Sequence, residues 1–122
     1  MSIISQILSL FLPDPTAKVE ANEAKRLLGL SASERPKLVD VRTSGEWKQG
    51  RIQGATHIDI SSSEFDRKVG TLPREGSYLL YCQSGARSGM ARSRMKAMGF
   101  SDVRHVAGGM SAWRAARLPV AK

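Results

Sequence analysis

Cysteine and histidine are scarce in this sequence. Its 122 residues include one cysteine, Cys82, and two histidines, His57 and His105. A single cysteine excludes an intrachain disulfide and any zinc site built from several thiolates, and two histidines are too few for an ordinary metal site, so we expect no metal. The lack of disulfides is typical of a reducing compartment, which predicts a cytoplasmic location.

Aromatic and acidic residues are also few. Two Trp, two Tyr and three Phe are present, and none alternates with basic residues as a nucleic-acid stacking platform requires. Nineteen Lys and Arg against eleven Asp and Glu give a net charge of +8. We interpret this charge as basic residues dispersed over solvated faces, with a positive field that attracts small anions, and expect no nucleic-acid partner.

The apolar stretch Ile3–Leu12 is too short to span a bilayer. No Lys or Arg precedes it and it lacks a clear small-residue cleavage site, which argues against a secretory signal. Its apolar residues recur at helical spacing, so residues 1–15 are predicted to form an apolar helix and a proline linker. We expect this helix to pack on its own domain or a neighbour, with a dimer contact or a peripheral membrane anchor as alternatives; the oligomeric state stays open.

Residues 16–122 have the length of one domain, in which short apolar strands alternate with helical patterns. The predicted strands are a short stretch at Val19, then Lys37–Val41, Thr56–Ile58, Tyr78–Tyr81 and Asp102–Val106, and the predicted helices are Ala21–Leu28, Ser44–Gln49, Ser61–Val69, Arg87–Met98 and Met110–Ala116. This alternation is typical of an α/β fold with a mainly parallel central sheet flanked by helices.

Three helix ends carry recognisable capping residues. Ser44 is the predicted N-cap of the second helix, and Ser62 or Ser63 that of the third, because serine oxygens accept the free N–H groups of a first turn. Gly99 is the predicted C-cap of the fourth helix.

The loop Cys82–Ser88 lies between the most apolar predicted strand and a helix. Ligand sites of parallel α/β folds lie at the carboxyl ends of strands, and Cys82 stands at such an end. N–H groups at a helix start lack helical partners, and in a curled loop they converge into a nest for an anion. Gly85 permits the backbone angles of such a curl, and the helix dipole adds positive potential.

A thiol in such a nest is expected to have a lowered pKa, which makes Cys82 a thiolate near neutral pH. Arg87 would add a permanent charge with paired donors for an oxyanion, and Ser88 would cap the helix or donate to the thiolate. The alternative is a buried, inert Cys82, which is the commoner role of a lone cysteine. Its position ahead of Gly85, Arg87 and Ser88 favours the reactive role.

Four segments occur in the order and spacing of one family's motifs. They are Leu38-Val-Asp-Val-Arg42 with Glu46-Trp47 downstream, Gly50-Arg51-Ile52-Gln53-Gly54-Ala55, the stretch from Tyr81 to Ser88, and Gly108-Gly109-Met110-Ser111-Ala112-Trp113. Over residues 17–120 the chain resembles a single-domain rhodanese. That family has an Asp-x-Arg strand with an acidic–aromatic pair, a Gly-His-Ile-x-Gly-Ala turn, the active loop and a Gly-Gly-x-x-x-Trp segment.

The resemblance implies a sulfurtransferase of the thiosulfate sulfurtransferase type that needs no metal or organic cofactor. Cys82 would be the catalytic residue, taking sulfur from an anionic donor such as thiosulfate to form a persulfide. A thiol, cyanide or an acceptor protein would then remove that sulfur. The residues implied to bind the donor's anionic end are Gln83, Ser84, Gly85, Ala86, Arg87 and Ser88.

Two positions depart from the family pattern. Arg51 replaces a frequent histidine, which we interpret as a structural turn position. Gln83 occupies a position that is basic in some thiosulfate-preferring relatives, which predicts modest donor affinity. Because Cys82 has no resolving thiol in the chain, its sulfur must leave to an external acceptor.

Asp40 and Arg42 are predicted supporting residues, because they end the strand beside the reactive one. In one interpretation Asp40 accepts hydrogen bonds from the loop and Arg42 pairs with Glu46. In the other, Asp40 and Arg42 form a local ion pair that fastens the turn.

The remaining histidines and tryptophans are given structural roles. His57 and His105 are expected to be ordinary packing or surface residues. Trp47 and Trp113 are expected to be core residues, with the rim of a pocket as the alternative.

Two other functions are weighed against sulfur transfer catalysis. A persulfide carrier or partner-binding module would share the Cys82 persulfide and differ in its turnover with small thiols. A cysteine phosphatase or arsenate reductase needs Cys-x5-Arg, whereas Cys82 and Arg87 form Cys-x4-Arg, which is too short for that chemistry.

Overall fold

Strands and helices alternate along the chain, as the hydrophobic pattern predicts. The computed structural model describes Asp14 and residues 17–122, and the predicted helix at Ile3–Leu12 lies outside these described residues. The strands are β1 (Lys18–Val19), β2 (Lys37–Asp40), β3 (Thr56–His57), β4 (Ser77–Tyr81) and β5 (Asp102–Val106), and the helices are α1 (Ala21–Leu28), α2 (Ser44–Gln49), α3 (Phe65–Gly70), α4 (Ala86–Ala97) and α5 (Gly109–Ala115).

The five strands form one parallel sheet in the order β1-β5-β4-β2-β3. The predicted α/β fold with a parallel sheet flanked by helices is confirmed. β4 lies in the middle, and its residues Tyr78–Tyr81 are all buried. A strand covered on both faces reads as a continuous apolar run, which is why β4 is the clearest strand in the sequence. Its carboxyl end opens at the centre of the sheet edge.

Helices cover both faces of the sheet. Leu80 packs on one face in a cluster with Met95 of α4, whereas Leu79 packs on the other in a cluster with Trp113 of α5. Neighbouring residues of β4 join different clusters because successive side chains of a strand point to opposite faces. The core position predicted for Trp113 is confirmed. Two apolar layers therefore hold β4, and the cysteine that follows it, in place.

The second helix has its predicted bounds, but its N-cap is Thr43 and not Ser44. Thr43 Oγ1 accepts the N–H of Glu46 at 3.4 Å, and Glu46 Oε1 accepts the N–H of Thr43 at 3.1 Å. This reciprocal pair is a capping box, in which the residue after Thr43 is already helical. It also fixes the position of the Glu46 side chain.

The third helix begins at Phe65, later than the predicted start at Ser61. The N–H and hydroxyl of Ser61 both donate to Asp59 Oδ1, at 2.8 and 2.7 Å. Such side-chain bonds compete with helical ones and hold the chain in turns. Neither Ser62 nor Ser63 is the N-cap, so the predicted serine cap is wrong.

The fourth helix begins and ends one residue earlier than predicted. Its C-cap is Met98, and Gly99 follows in the left-handed conformation with a φ of 100°. Glycine fills this position just beyond a helix because it has no Cβ, so the predicted cap is displaced by one residue. Across residues 17–122, no helix has both the length and the apolar character needed to cross a membrane.

Candidate active site

The loop Cys82–Ser88 leaves β4 and turns at once into α4. Gly85, the N-cap of α4, has a φ of 107°, a left-handed angle that glycine adopts without strain. This turn directs the N–H of Gly85 back at Cys82, where it donates to Sγ at 3.1 Å. The loop therefore closes around its own sulfur atom.

The start of α5 packs directly against the backbone of this loop. Met110 N–H donates to the carbonyl oxygen of Cys82 at 2.8 Å, and Ser111 N–H donates to that of Gln83 at 3.0 Å. Gly109 has a φ of 56°, and a Cβ there would lie 2.3 Å from the Cys82 oxygen. Only glycine permits so close an approach, which gives a physical reason for Gly109 at the start of α5.

The Cys82 side chain is fully buried. Burial raises the pKa of the thiol, but hydrogen bonds oppose it, from the Ser88 hydroxyl first and then from the backbone N–H groups of Ser88, Gly85 and Ser84. The net effect lowers the pKa of Cys82 below its ordinary value, the direction that the loop pattern predicts. Converging donors make this site suited to a thiolate.

Arg87 forms a two-pronged ion pair with Glu46 of α2. Its Nη1 and Nη2 donate to the two carboxylate oxygens at 2.7 and 2.8 Å. These bonds, opposed by partial burial and helped by Thr43, lower the pKa of Glu46 to about 2, so the carboxylate is charged at neutral pH. The predicted pairing of Glu46 with Arg42 is wrong, because Arg87 occupies both carboxylate oxygens.

Asp40 and Arg42 form a second ion pair, which is buried. Arg42 Nη2 lies 2.7 Å from Asp40 Oδ2, and the Arg42 Nε and backbone N–H both donate to Asp40 Oδ1, at 3.0 and 2.9 Å. Burial lowers the pKa of Arg42, but the bonds to Asp40 outweigh it and the net shift is upward. This geometry is the local ion pair of the second interpretation.

The buried pair reaches the loop through Gln83. Arg42 Nη1 donates to Gln83 Oε1 at 3.2 Å, and Gln83 Nε2 donates to Ser111 Oγ at 3.2 Å. Arg42, and not Asp40, therefore makes the side-chain contact with the loop. The Gln83 amide is held at both ends, between Arg42 and the first turn of α5.

The other loop residues face outward or line a cavity. Ser84 and Ala86 are exposed, whereas Ser88 is buried. A cavity of about 280 Å³ lies beside the loop and is lined by Lys18, Ser84, Gly85, Ala86, His105, Ala107 and Gly108. A larger cavity, of about 600 Å³, includes Lys37 and Thr56 at the amino ends of β2 and β3, and so lies away from Cys82.

His105 is the site neighbour that the sequence reasoning missed. Its buried ring places Nδ1 2.9 Å from Ser88 Oγ, which itself lies 3.5 Å from Cys82 Sγ. The contact follows from the sheet order: β5 runs beside β4, and His105 pairs with Leu80, two residues before Cys82. Strand register is not readable from one sequence, so the prediction gave His105 only a packing or surface role.

His57 and Trp47 form a separate cluster. Their rings stack at 4.9 Å, and His57 Nε2 lies 2.6 Å from the carbonyl oxygen of Arg42. Trp47 is half-buried, with the Arg51 guanidinium 4.5 Å above its ring, so the core position favoured for it is wrong, and the alternative of a pocket-rim position stays a prediction. Among the residues that the structure describes, no three His, Cys, Asp or Glu side chains are grouped to hold a metal ion.

Comparison with known proteins decides the family. The sequence model of the rhodanese-like domain family matches residues 21–116 of this chain. The chain belongs to the rhodanese-like domain family. The resemblance drawn from the four sequence segments is thereby confirmed.

Relatives of this rhodanese-like domain include named sulfurtransferases. Probable adenylyltransferase/sulfurtransferase MoeZ of Mycobacterium tuberculosis is 40% identical over 76 residues, which are 62% of this chain and 19% of MoeZ, so the chain spans about a fifth of that relative. Thiosulfate sulfurtransferase 18 of Arabidopsis thaliana is 31% identical over 112 residues, covering 82% of this chain and 79% of that protein.

A solved structure shows the same architecture. A rhodanese-related protein from Thermoplasma volcanium superposes with a TM-score of 0.74 at 26% identity, over 85% of this chain and 96% of that one. Family membership and the names of the relatives together support sulfur transfer as the general chemistry of this rhodanese-like domain.

Proposed function

We propose that this chain is a sulfurtransferase that moves sulfane sulfur from an anionic donor such as thiosulfate to a thiol or cyanide, through a persulfide on Cys82. The observation that carries the proposal is the buried Cys82 sulfur, held by the Gly85 N–H at 3.1 Å with a lowered thiol pKa. The name of the Arabidopsis relative, a thiosulfate sulfurtransferase, supports thiosulfate as the donor to test first.

The first half-reaction loads the cysteine. The Cys82 thiolate attacks the outer sulfur of thiosulfate, the donor's sulfur–sulfur bond breaks, and its electron pair leaves with sulfite. The terminal sulfur of the new persulfide carries the negative charge. The loop N–H groups stabilise the anionic sulfur, and Arg87 supplies charge for the donor's sulfonate end.

The second half-reaction removes the outer sulfur from the Cys82 persulfide. A nucleophilic acceptor attacks the terminal sulfur, the persulfide bond breaks, and its electron pair returns to Cys82 as thiolate. With cyanide the product is thiocyanate. Because Cys82 is the chain's only cysteine, no internal thiol resolves the persulfide, and the proposal includes an external small thiol or acceptor protein and a reducing compartment.

A persulfide carrier is the second candidate, since the same lone cysteine serves a module that hands sulfur to a partner protein. The name of the MoeZ relative joins an adenylyltransferase with a sulfurtransferase, which supports the idea of sulfur transfer to a partner protein or domain. The two candidates share the Cys82 persulfide and differ in the rate at which small acceptors remove it.

The test is a donor–acceptor matrix with mass spectrometry. Exposure to thiosulfate should add one sulfur atom to the wild-type chain and none to Cys82→Ser, and cyanide should then release thiocyanate with repeated turnover. Loading without turnover on any small acceptor favours the carrier. Hydrolysis of p-nitrophenyl phosphate, with no persulfide formed from any donor, would overturn the proposal.

A further inference from the structure

The Ser88 hydroxyl lies within hydrogen-bond distance of three groups: an imidazole nitrogen that donates or accepts according to its tautomer, a carbonyl oxygen, and a sulfur that donates as a thiol and accepts as a thiolate. Its oxygen is 2.9 Å from His105 Nδ1, 3.2 Å from the Gly85 carbonyl oxygen and 3.5 Å from Cys82 Sγ. Ser88 is fully buried and His105 is 5% exposed, so water does not compete freely for these groups. A hydroxyl has one hydrogen to donate, and therefore it satisfies one of the three at a time.

The state of His105 decides which acceptor receives that hydrogen. If Nδ1 is unprotonated it is the nearest acceptor, and the Ser88 hydroxyl donates to it and not to the sulfur. If Nδ1 carries a hydrogen it becomes a donor and Ser88 Oγ accepts from it. The hydroxyl hydrogen is then free for the Gly85 carbonyl oxygen at 3.2 Å or for Cys82 Sγ at 3.5 Å, and a full negative charge on the sulfur favours the sulfur. The position of one imidazole hydrogen thus controls a hydrogen bond to the reactive sulfur.

We infer that His105 is a positioning residue for Cys82: its Nδ1–H donates to Ser88 Oγ, which turns the Ser88 hydroxyl toward the sulfur. An anionic sulfur selects this arrangement, because the chain of two hydrogen bonds then ends on a negative charge. The effect on the thiolate stands by itself, whereas the same effect on the persulfide rests on the proposed function.

The fold holds the His105 ring in this position. In the sheet His105 is flanked by Leu80 of β4 and Lys18 of β1. On the helix side, a Cβ added to Gly89 of α4 would lie 3.5 Å from Cε1 of the ring, which is van der Waals distance, so α4 packs closely beside the imidazole. With neighbours on three elements, the ring keeps Nδ1 directed at Ser88.

The charges around His105 favour a neutral ring. Burial first, and then Lys18 of β1 and Arg92 of α4, lower its pKa below the ordinary value. The Cys82 thiolate, facing it through Ser88 from the β4 side, is the opposing charge. The inference therefore depends on which nitrogen of the neutral ring carries the hydrogen, and it does not require an imidazolium at neutral pH.

Three substitutions of His105 distinguish the effect of its Nδ1–H hydrogen bond from the effect of its ring packing. Asparagine at 105 places an amide donor near the Nδ1 position, glutamine places its amide farther out near the Nε2 position, and leucine has no donor. The readout is the pKa of Cys82, followed by the ultraviolet absorbance of the thiolate, which is unambiguous among thiols because the chain has one cysteine. It needs no sulfur donor.

We expect His105→Leu and His105→Gln to raise the Cys82 pKa by about one unit, the loss of one hydrogen bond to an anion. His105→Asn should restore it to near the wild-type value. Ser88→Ala should raise it by a similar amount, and adding His105→Leu to Ser88→Ala should raise it no further, since His105 acts through Ser88.

Two results would overturn the inference. One is an unchanged Cys82 pKa in folded His105→Leu or His105→Gln; if the leucine variant fails to fold, the glutamine variant decides. The other is a full additional shift when His105→Leu is combined with Ser88→Ala. Failure of the proposed function is a separate outcome, seen as wild-type protein that forms no persulfide while these pKa differences persist.

Discussion

Two arginine–carboxylate pairs flank the reactive loop and differ in their exposure to water. The side chains of Asp40 and Arg42 are 0% and 2% exposed, whereas those of Glu46 and Arg87 are 28% and 31% exposed. Both pairs are two-pronged, with shortest contacts of 2.7 Å. Their contact geometry is similar, so the difference in their roles follows from their surroundings.

The buried pair has no access to replacement partners. Arg42 also donates to the Gly50 carbonyl oxygen, at 2.7 Å, and to the side chain of Gln83. Taking one charge away from such a site leaves the other unsolvated, which is costly. The Asp40–Arg42 pair is therefore a fixed support that joins the β2 end to the loop.

The half-exposed pair lies where solvent and small anions have access. An ion pair of this kind contributes little to stability, and water or a substrate anion can replace either partner at small cost. Under the proposed function, Arg87 would leave Glu46 for the sulfonate of a donor without unfolding its surroundings. The loop has a rigid side at Arg42 and an exchangeable side at Arg87.

The largest effect is expected when the buried pair is broken. Arg42→Met leaves the Asp40 carboxylate buried and unpaired, so the free energy of unfolding should fall by about 3–5 kcal/mol in urea titrations. The double variant Asp40→Leu/Arg42→Met removes both charges and should recover most of that stability. A cost below about 1 kcal/mol for the single variant would contradict the assignment of this pair as a buried support.

The second effect concerns activity and should appear at the exchangeable pair. Arg87→Met should change the free energy of unfolding by less than about 1 kcal/mol, because the pair is partly exposed. Its KM for thiosulfate should rise about tenfold or more, the loss of charged hydrogen bonds to the donor. Steady-state thiocyanate formation and urea titration measure the two quantities separately.

The matched control for Arg87→Met is Arg87→Lys. Lysine keeps the positive charge and loses the paired donors, so its KM for thiosulfate should lie between those of the wild type and the methionine variant. An uncharged organic trisulfide used as donor should show little difference among the three proteins. An equal loss with both donors would mean that Arg87 shapes the loop and does not bind the donor's charge.

The rigid framework of this comparison was predictable from sequence. The run Tyr78–Tyr81, the cysteine after it and the helix with Gly85 before it are local features, and local pattern places Cys82 at a strand end. Gly108-Gly109 was found through the family motif, and the structure supplies its reason in the approach of Gly109 to the Cys82 oxygen. The strand, the cysteine and the helix start depend on neighbours in the chain, whereas the need for Gly109 comes from a long-range contact.

The partners around the loop were not predictable in the same way. Glu46 and Arg87 are 41 residues apart, and their pairing depends on how α2 and α4 are placed after folding. His105 reaches Ser88 only through the register of β5 on β4. Side-chain direction and strand register are tertiary properties, so a sequence that supplies a carboxylate and two arginines leaves their pairing open.

The smallest effect is expected from removing the Glu46 charge alone. Glu46→Gln keeps the capping box of α2, because glutamine also serves at that position, and so it isolates the ion pair with Arg87. Since Arg87 lowers the pKa of Glu46 from 4.5 to about 2, the carboxylate stabilises the fold above pH 4.5, and this stabilisation is lost as the pH falls toward 2.

Urea titrations of the wild type and Glu46→Gln should differ by about 1 kcal/mol at neutral pH. This is less than the full shift in pKa would give, because solvent and salt screen the partly exposed pair and glutamine still accepts a hydrogen bond from Arg87. The difference should shrink below pH 4.5, where the unfolded carboxylate becomes protonated. In an Arg87→Met background the same substitution should cost almost nothing, because the partner is already gone. A difference that stays constant with pH, or that persists without Arg87, would show that Glu46 stabilises α2 by itself. The ion pair with Arg87 would then not be the interaction that holds this side of the loop.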